Sequence, residues 1–337
     1  MSSVGIKHIA SLAGVSIATV SRTLRDPERV SESTRAKVLK AVKECGYTPN
    51  KLGVSLRTSR TGNIVVIIPD VSDSFNFGAI KSIEAYAQQR GYSILLGDTQ
   101  GSEELERTYA SMVRSRQADG IIMFSHRLPF DIDYSIDVYE QLPPLVNSCE
   151  TMGIPAIPFV SIDNTQAAYD ATQHLIDSGH KDIALITGNI ESPSSQHRLE
   201  GFRKAMKDAG IPINEDLIHY ATYSVEDGES VTKEILQKEK QPTAIFCLSD
   251  EMALGCCSAI RNAGLHMPDD ISVMGFDDIP FSRYLSPPLT TISQPTKEIG
   301  KTCIRLLLDI VEGKRPEKTE YILPHKLVIR ESTRSIN

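Results

Sequence analysis

Arg198 and Asp277 lie far apart in the chain, yet together they form its most informative pair of reactive side chains. A guanidinium only donates hydrogen bonds and an ionised carboxylate only accepts them, so the two together satisfy both the lone pairs and the protons of a sugar diol. Each sits just past a predicted strand. Pro193-Ser-Ser-Gln-His-Arg-Leu-Glu-Gly places Arg198 at a helix start, and Gly275-Phe-Asp-Asp-Ile-Pro exposes Asp277 and Asp278. A third loop, Asp70 to Phe77, combines acceptors at Asp70, Ser72 and Asp73 with the aromatic faces of Phe75 and Phe77, and the stretch from Ser125 to Phe130 adds further polar groups. A polyhydroxylated ring fits such a set. It is a nucleoside if Phe75 meets a base, or a hexose if Phe75 and Phe77 are instead core residues of the following helix. Asp, Ser, Gly and Pro also form ordinary turns, and any one of these loops alone reads that way. Three at equivalent strand ends favour a ligand.

His126, His180 and His197, with Asp70 and Asp277, are residue types that serve acid–base catalysis. The spacing argues against it. There is no nucleophile elbow, phosphate loop or zinc pair, Gly188-Asn-Ile is too short for a dinucleotide fingerprint, and His180 lies in Gly-His-Lys beside an apolar strand, where a structural histidine is commoner. The six cysteines are scattered, mostly in apolar stretches, without Cys-x-x-Cys or His/Cys spacing. The expectation is a binding protein with buried free thiols, no catalytic residue, no cofactor and no metal.

A second chemistry is written near the N-terminus. In Ile6 to Leu24, the residues Ile9, Leu12 and Ala13 recur at helical spacing, Gly14 supplies a tight connection, and Ser16 is placed to cap a second helix with Val20 and Leu24 inward. Ile17, Ala18, Ser21 and Arg22 then face outward, as in a helix-turn-helix whose second helix enters the major groove, where Arg22 offers its fork to guanine. A plain helical hairpin is the alternative. Charge favours DNA: residues 1–60 hold eleven Lys/Arg against four Asp/Glu, a net of +7, which leaves −14 for the remainder given −7 for the whole chain. A basic head on an acidic body fits a nucleic-acid module joined to something that avoids the phosphate backbone.

These residues need elements to hold them. Ser31 is placed to cap a third helix with Val38, Leu39, Val42 and Cys45 inward and Gly46 as its stop, which completes a small domain. Tyr47 to Gly62 reads as a polar, basic linker with a short helix that Gly53 weakens. From Asn63 onward, short continuous apolar runs alternate with amphipathic helices, implying parallel sheets covered on both faces and two doubly wound lobes in tandem. The tail adds a helix near Lys297 to Val311 and apolar segments near Tyr321 to Leu323 and Leu327 to Ile329. The N-terminus has no apolar signal core and no run approaches the roughly 20 residues that span a bilayer, so a cytoplasmic protein with no membrane partner is expected. A solute-uptake protein with a similar body would need an export signal and no basic head.

Ordered matches run along essentially the whole chain: Ala-Gly-Val-Ser-x-x-Thr-Val-Ser-Arg (Ala13 to Arg22), Gly-Tyr-x-Pro-Asn (Gly46 to Asn50), Ser-Leu-Arg (Ser55 to Arg57), Asp163-Asn164, Ser-Gly-His-Lys-x-Ile-Ala (Ser178 to Ala184), Ser-Asp-Glu-Met-Ala-Leu-Gly (Ser249 to Gly255), Gly-Phe-Asp-Asp-Ile (Gly275 to Ile279) and Pro-Pro-Leu-Thr-Thr-Ile (Pro287 to Ile292). Through them the chain resembles the LacI/GalR family of bacterial transcriptional repressors. Arg-Leu-Pro-Phe-Asp (Arg127 to Asp131), Leu-Pro-Pro (Leu142 to Pro144) and Ser-Gln-Pro-x-x-Glu-Ile-Gly (Ser293 to Gly300) resemble its cytidine-responsive branch.

The resemblance implies a helix-turn-helix domain with hinge over 1–60 and a two-lobed, periplasmic-binding-protein-like effector and dimerisation body over 61–337. It places lobe 1 at about 61–162 and 293–323, and lobe 2 at about 163–291 and 324–333, with crossovers near Ile162, Ile292 and Pro324. It further implies a homodimer on a near-palindromic duplex operator, a small-molecule effector in the cleft, and an activator protein as a candidate partner. Thr19, Ser31, Asn50, Ser55 and Arg57 join Ile17, Ala18, Ser21 and Arg22 as DNA contacts, Leu56 becomes a minor-groove wedge, and Ser249 and Asp250 join Ser72, Asp73, Phe75, Ser125, Arg198 and Asp277 around the effector. Some positions depart from the family: Gly5 and His8 weaken the first helix start, and Gly53-Val54 replaces a usual Ala-Arg pair.

Overall fold

Ile9, Ala13 and Val20 are buried together with Ala10, Val38 and Ala41, and this small core closes three helices on one another. In the computed structural model, which describes residues 5–47 and 60–336, they are α1 (Ile6–Ala13), α2 (Ile17–Arg25) and α3 (Glu32–Glu44). Gly14 takes a left-handed φ of 63°, which costs a residue without Cβ nothing and makes the turn between α1 and α2. Ser16 caps α2 by accepting from the Thr19 N–H at 3.1 Å. Leu39, expected inward, is 47% exposed, and Leu12, at the helical spacing, is 54% exposed, while Ala10 and Ala41 are buried. Ser31 stands before α3, but its hydroxyl goes to Thr34 Oγ1 at 3.0 Å rather than to a backbone N–H. Gly5 precedes α1 with no side-chain cap. Asn50, Ser55, Leu56 and Arg57 lie outside the described residues.

The chain divides into two units, Met1–Thr61 and Gly62–Asn337. In the second, β1 (Asn63–Ile68), β2 (Ser93–Asp98), β3 (Gly120–Met123), β4 (Leu145–Ser148), β5 (Phe159–Ile162) and β11 (Glu320–Leu323) form a parallel sheet of order β2-β1-β3-β4-β5-β11. Its continuous apolar strands follow from burial on both sides: Ile64, Val66 and Ile68 point into one core, Val65 and Ile67 into the other. Helices α4 (Ser74–Gln89) and α11 (Thr296–Val311) cover the first face, and α5 (Glu103–Arg114) the second; α6 (Val138–Gln141) is a single turn. A second parallel sheet, β7-β6-β8-β9, is built from β6 (Ile183–Thr187), β7 (Ile218–Tyr220), β8 (Ala244–Cys247) and β9 (Ser272–Met274). It is flanked by α7 (Asn164–Asp177), α8 (Pro193–Asp208), α9 (Val225–Leu236) and α10 (Asp250–Asn262). The chain leaves the first sheet after β5 and returns to it through α11 and β11, while β10 (Thr291–Ser293) pairs antiparallel with β12 (Lys326–Val328).

Sequence patterning missed β4, β5, β7, β10 and α9. The strands are three or four residues long, too short to carry a period, and Gly228 interrupts α9. Gly228 is there because α9 and α10 cross with backbones nearly touching: a Cβ on it would strike Met252, and one on Gly255 would strike the Val225 carbonyl.

Candidate functional site

Two groups of loops, one from the carboxyl ends of β1, β3 and β4 and one from those of β6, β7, β8 and β9, face each other across a cavity of about 540 Å³. Ligands in open α/β sheets bind at such strand ends. Of the effector residues expected from sequence, Ser72, Asp73, Phe75, Arg198, Ser249 and Asp277 line it.

Arg198 lies in the second turn of α8 and is buried. Its Nε donates to Asn164 Oδ1 at 2.8 Å, one terminal nitrogen donates to the Leu248 carbonyl at 2.6 Å, and its plane rests 3.8 Å from the Phe276 ring centroid. The other terminal nitrogen stands 3.8 Å from Asp277 Oδ1, near enough for attraction and too long for a hydrogen bond. The guanidinium is therefore fixed in place with donor capacity to spare. Asp277 Oδ1 accepts from Gln294 Nε2 at 2.7 Å, and the residue adopts φ 116°, which turns its side chain from the strand line toward the cavity. Burial pushes its carboxyl well above the ordinary range, although Arg198 pulls the other way. Asp277 is thus less exposed and less acidic than its sequence setting suggests. Asp278 is turned away and pairs with Arg330 at 2.6 Å.

Asp73 caps α4 by accepting from the Phe75 N–H at 2.9 Å, and burial raises its carboxyl to about 6. Phe75 borders the cavity, whereas Phe77 is exposed. Ser249 caps α10, accepting from the Met252 N–H at 3.1 Å.

Two expected effector residues sit elsewhere. Ser125 is buried and donates to Glu106 at 2.8 Å, part of a lobe-1 network in which Arg127 also holds Glu106 at 2.9 Å. Asp250 is fully buried and spends its carboxylate on the Ile279 N–H at 2.9 Å, on Thr291 Oγ1 at 2.6 Å and on the Ser282 hydroxyl. It anchors the loop after β9 and is not among the residues that line the cavity. Burial raises its carboxyl to about 7, above the ordinary 3.8. The folded state therefore keeps a proton that the unfolded chain has released, so this group makes stability fall as pH rises from about 4 to 7. Asp250→Asn should flatten that slope relative to the wild type by up to about 1.4 kcal/mol per pH unit. Urea titrations between pH 4 and 8 will read it, and parallel slopes would contradict it.

The cavity also gathers residues that sequence reasoning left unassigned to it: Glu150, Asn164, Tyr223 and Gln294. Asn164 belongs to the Asp163-Asn164 pair and Gln294 to the Ser-Gln-Pro stretch, both matched by the family resemblance. Tyr223, at φ 67°, follows the undetected β7, and Gln294 follows the undetected β10. His180 is structural, with Nδ1 2.9 Å from Thr243 Oγ1 and Nε2 3.1 Å from the Arg334 carbonyl oxygen. Among the described residues no cluster of His, Cys, Asp or Glu is arranged for a metal ion, and no helix is long and apolar enough to cross a membrane.

In the first unit, Ile17, Ala18 and Arg22 are exposed on α2, and Thr19 and Ser21 are half-buried beside them. Thr19 Oγ1 lies 2.9 Å from the capping Ser16 hydroxyl, which ties it to the helix start. Ser31 is exposed at the start of α3.

A helix-turn-helix with an open recognition face, carried on the same chain as a two-lobed body around a donor- and acceptor-lined cavity, defines a ligand-responsive DNA-binding regulator. Comparison with known proteins agrees: residues 5–50 match the lacI family of bacterial regulatory proteins, and residues 172–333 match the periplasmic binding protein-like domain. The chain belongs to the lacI family. It is 39% identical over 331 residues to the HTH-type transcriptional repressor CytR of Escherichia coli K12, covering 98% of this chain and 96% of that protein. It is 37% identical over 333 residues to the HTH-type transcriptional repressor PurR of Vibrio parahaemolyticus, covering 98% and 99%. The lac repressor dimer bound to operator and the anti-inducer ONPF superposes with a TM-score of 0.85 at 29% identity, over 98% of this chain and 99% of that one. The chain is a DNA-binding transcriptional repressor of this family with an effector-binding domain.

Proposed function

We propose that the protein acts as a homodimer on a near-palindromic operator in the cytoplasm, that it catalyses nothing, and that a nucleoside in the cleft, cytidine first, sets its DNA affinity. The observation that carries the effector reading is the buried Arg198 beside Asp277, with Phe75 on the same cavity. Arg198 supplies donors to ribose oxygens, each charge-assisted bond contributing about 1.5–3 kcal/mol, and a carboxyl oxygen of Asp277 accepts from a hydroxyl proton. Phe75 offers its ring to the base. The sequence likeness of Arg127 to Asp131 and of Ser293 to Gly300 to the cytidine-responsive branch, together with the likeness to CytR, supports the same choice. Because the cavity walls come from both lobes, a ligand shifts DNA affinity by favouring one arrangement of the lobes over another.

Calorimetry with cytidine, uridine, adenosine, ribose and galactose tests this directly. Cytidine should bind most tightly; hexose binding with no response to any nucleoside would replace the reading by a sugar-responsive one. On the DNA side, Arg22→Ala should cost about 1–3 kcal/mol on a selected operator and little on random duplex, since one base-reading fork goes while phosphate contacts stay. Gel shifts on both duplexes decide it. Equal losses would reassign Arg22 to the phosphate backbone.

A further inference from the structure

The cavity is lined by six carboxylates, Asp70, Asp73, Glu150, Glu226, Glu251 and Asp277, against one cation, Arg198, among the described residues. Asp73 and Asp277 are the two whose burial favours the neutral form, and four acidic groups remain without them. The balance opposes any anion. Helix starts around the cavity would ordinarily offset it, because the free N–H groups of a first turn attract phosphate.

Here the protein's own side chains occupy those seats. Glu251, carried by lobe-2 helix α10, accepts from the Ser74 N–H at 2.9 Å at the start of lobe-1 helix α4. Glu150, which follows lobe-1 strand β4, accepts from the Ser194 N–H at 3.2 Å and from the Ser192 hydroxyl at 2.8 Å at the start of lobe-2 helix α8, and the Ser194 hydroxyl also donates to it. Asp73 takes the Phe75 N–H of α4, and Ser224 takes the Asp227 N–H of α9 at 3.1 Å. Each lobe thus sends one carboxylate across the cleft onto the other lobe's helix.

We infer that Glu150 and Glu251 make the cleft a charge filter, admitting an uncharged effector rich in hydrogen-bond donors and excluding its phosphorylated forms. The inference rests on the nucleoside reading for its choice of probes, but not for its logic. Carboxylates accept hydrogen bonds and do not donate them when ionised, so ribose hydroxyls or an exocyclic amine match the walls. A phosphate would have to displace Glu150 or Glu251 from a helix start, or lie beside them with only Arg198 to oppose the repulsion. Like charges brought together in this way disfavour the wrong ligand strongly.

The test is calorimetry of the full-length protein at low salt with matched pairs: cytidine and cytidine 5′-monophosphate, ribose and ribose 5-phosphate. In whichever pair binds, the phosphate should weaken affinity by about 100-fold or more. Added salt should narrow that gap by screening. Glu150→Gln and Glu251→Gln, each checked for folding by its thermal melt, should narrow it about tenfold or more, since an amide keeps the shape and removes the charge. Ribose binding without cytidine binding would end the nucleoside reading and leave the filter standing. A phosphorylated compound that binds within about threefold of its parent would overturn the filter, as would a gap insensitive to salt and to both substitutions.

Discussion

Arg198→Met is expected to raise the dissociation constant for cytidine by about 100-fold or more. Two charge-assisted bonds to ribose oxygens in the proposed complex would contribute about 3–6 kcal/mol together, and every 1.4 kcal/mol is tenfold in affinity. Methionine keeps an unbranched stem and much of the volume of the side chain, so the cavity wall should survive, but it is shorter and donates nothing. The substitution also leaves the Leu248 carbonyl and Asn164 Oδ1 without their donors and Asp277 without its cation, so some loss of stability accompanies it. Asp277→Asn leaves the Asn164 and Leu248 bonds of Arg198 in place and keeps an acceptor for Gln294, so it isolates the contribution of the Arg198–Asp277 pair. Arg198→Lys should rescue little, since one ammonium cannot reproduce a planar fork held at three points. Operator binding by the unliganded variant should stay near wild type, and cytidine should no longer shift it. Undiminished calorimetric binding by a folded Arg198→Met protein would remove the arginine from the site.

Gly255→Val should destabilise the second unit by about 3 kcal/mol or more, which for a unit of this size lowers Tm by roughly 6–12 °C. Helix propensity alone works against that outcome: glycine inside a helix costs about 1 kcal/mol relative to alanine. Packing outweighs it. A Cβ at Gly255 meets the Val225 carbonyl and the Glu229 N–H of α9, and backbone cannot rotate away as a side-chain tip can. Gly228 on α9 is blocked in the same way by Met252 of α10, so neither helix can yield without opening the crossing. Calorimetric melting of this variant beside Ser230→Ala, an exposed site on α9, provides the comparison. An unchanged melt for Gly255→Val would show that the crossing relaxes freely.

Several features were legible in the sequence because they depend on neighbours along the chain. Gly14 and Ser16 announce a turn and a cap whose partners are three or four residues away, and the structure forms both. Strands such as Ile64 to Ile68 declare a covered parallel sheet by being apolar without alternation. The basic head on an acidic body needs only counting. Arg198 and Asp277 could be paired by chemistry, since a donor-only and an acceptor-only group suit one diol wherever the fold puts them.

What only the tertiary structure decided is which of several similar side chains face the cavity, because that depends on backbone turns made by remote contacts. Asp250 and Asp277 look alike in sequence, each an acidic residue beside the end of a strand. Asp250 is taken by the Ile279 N–H and by Thr291, some thirty to forty positions away, while a left-handed backbone leaves Asp277 at the cavity. Leu12 and Leu39 match the helical period and are still exposed, while Ala10 and Ala41 hold places in the core of the three helices. Glu150 carries no local signal, and Glu251, although it stands in the Ser-Asp-Glu-Met-Ala-Leu-Gly stretch, carries none that points to the opposite lobe. Each acquires its role by meeting a helix start on the opposite lobe, 44 and 177 residues distant, and folding is what brings those backbone N–H groups within reach of a carboxylate.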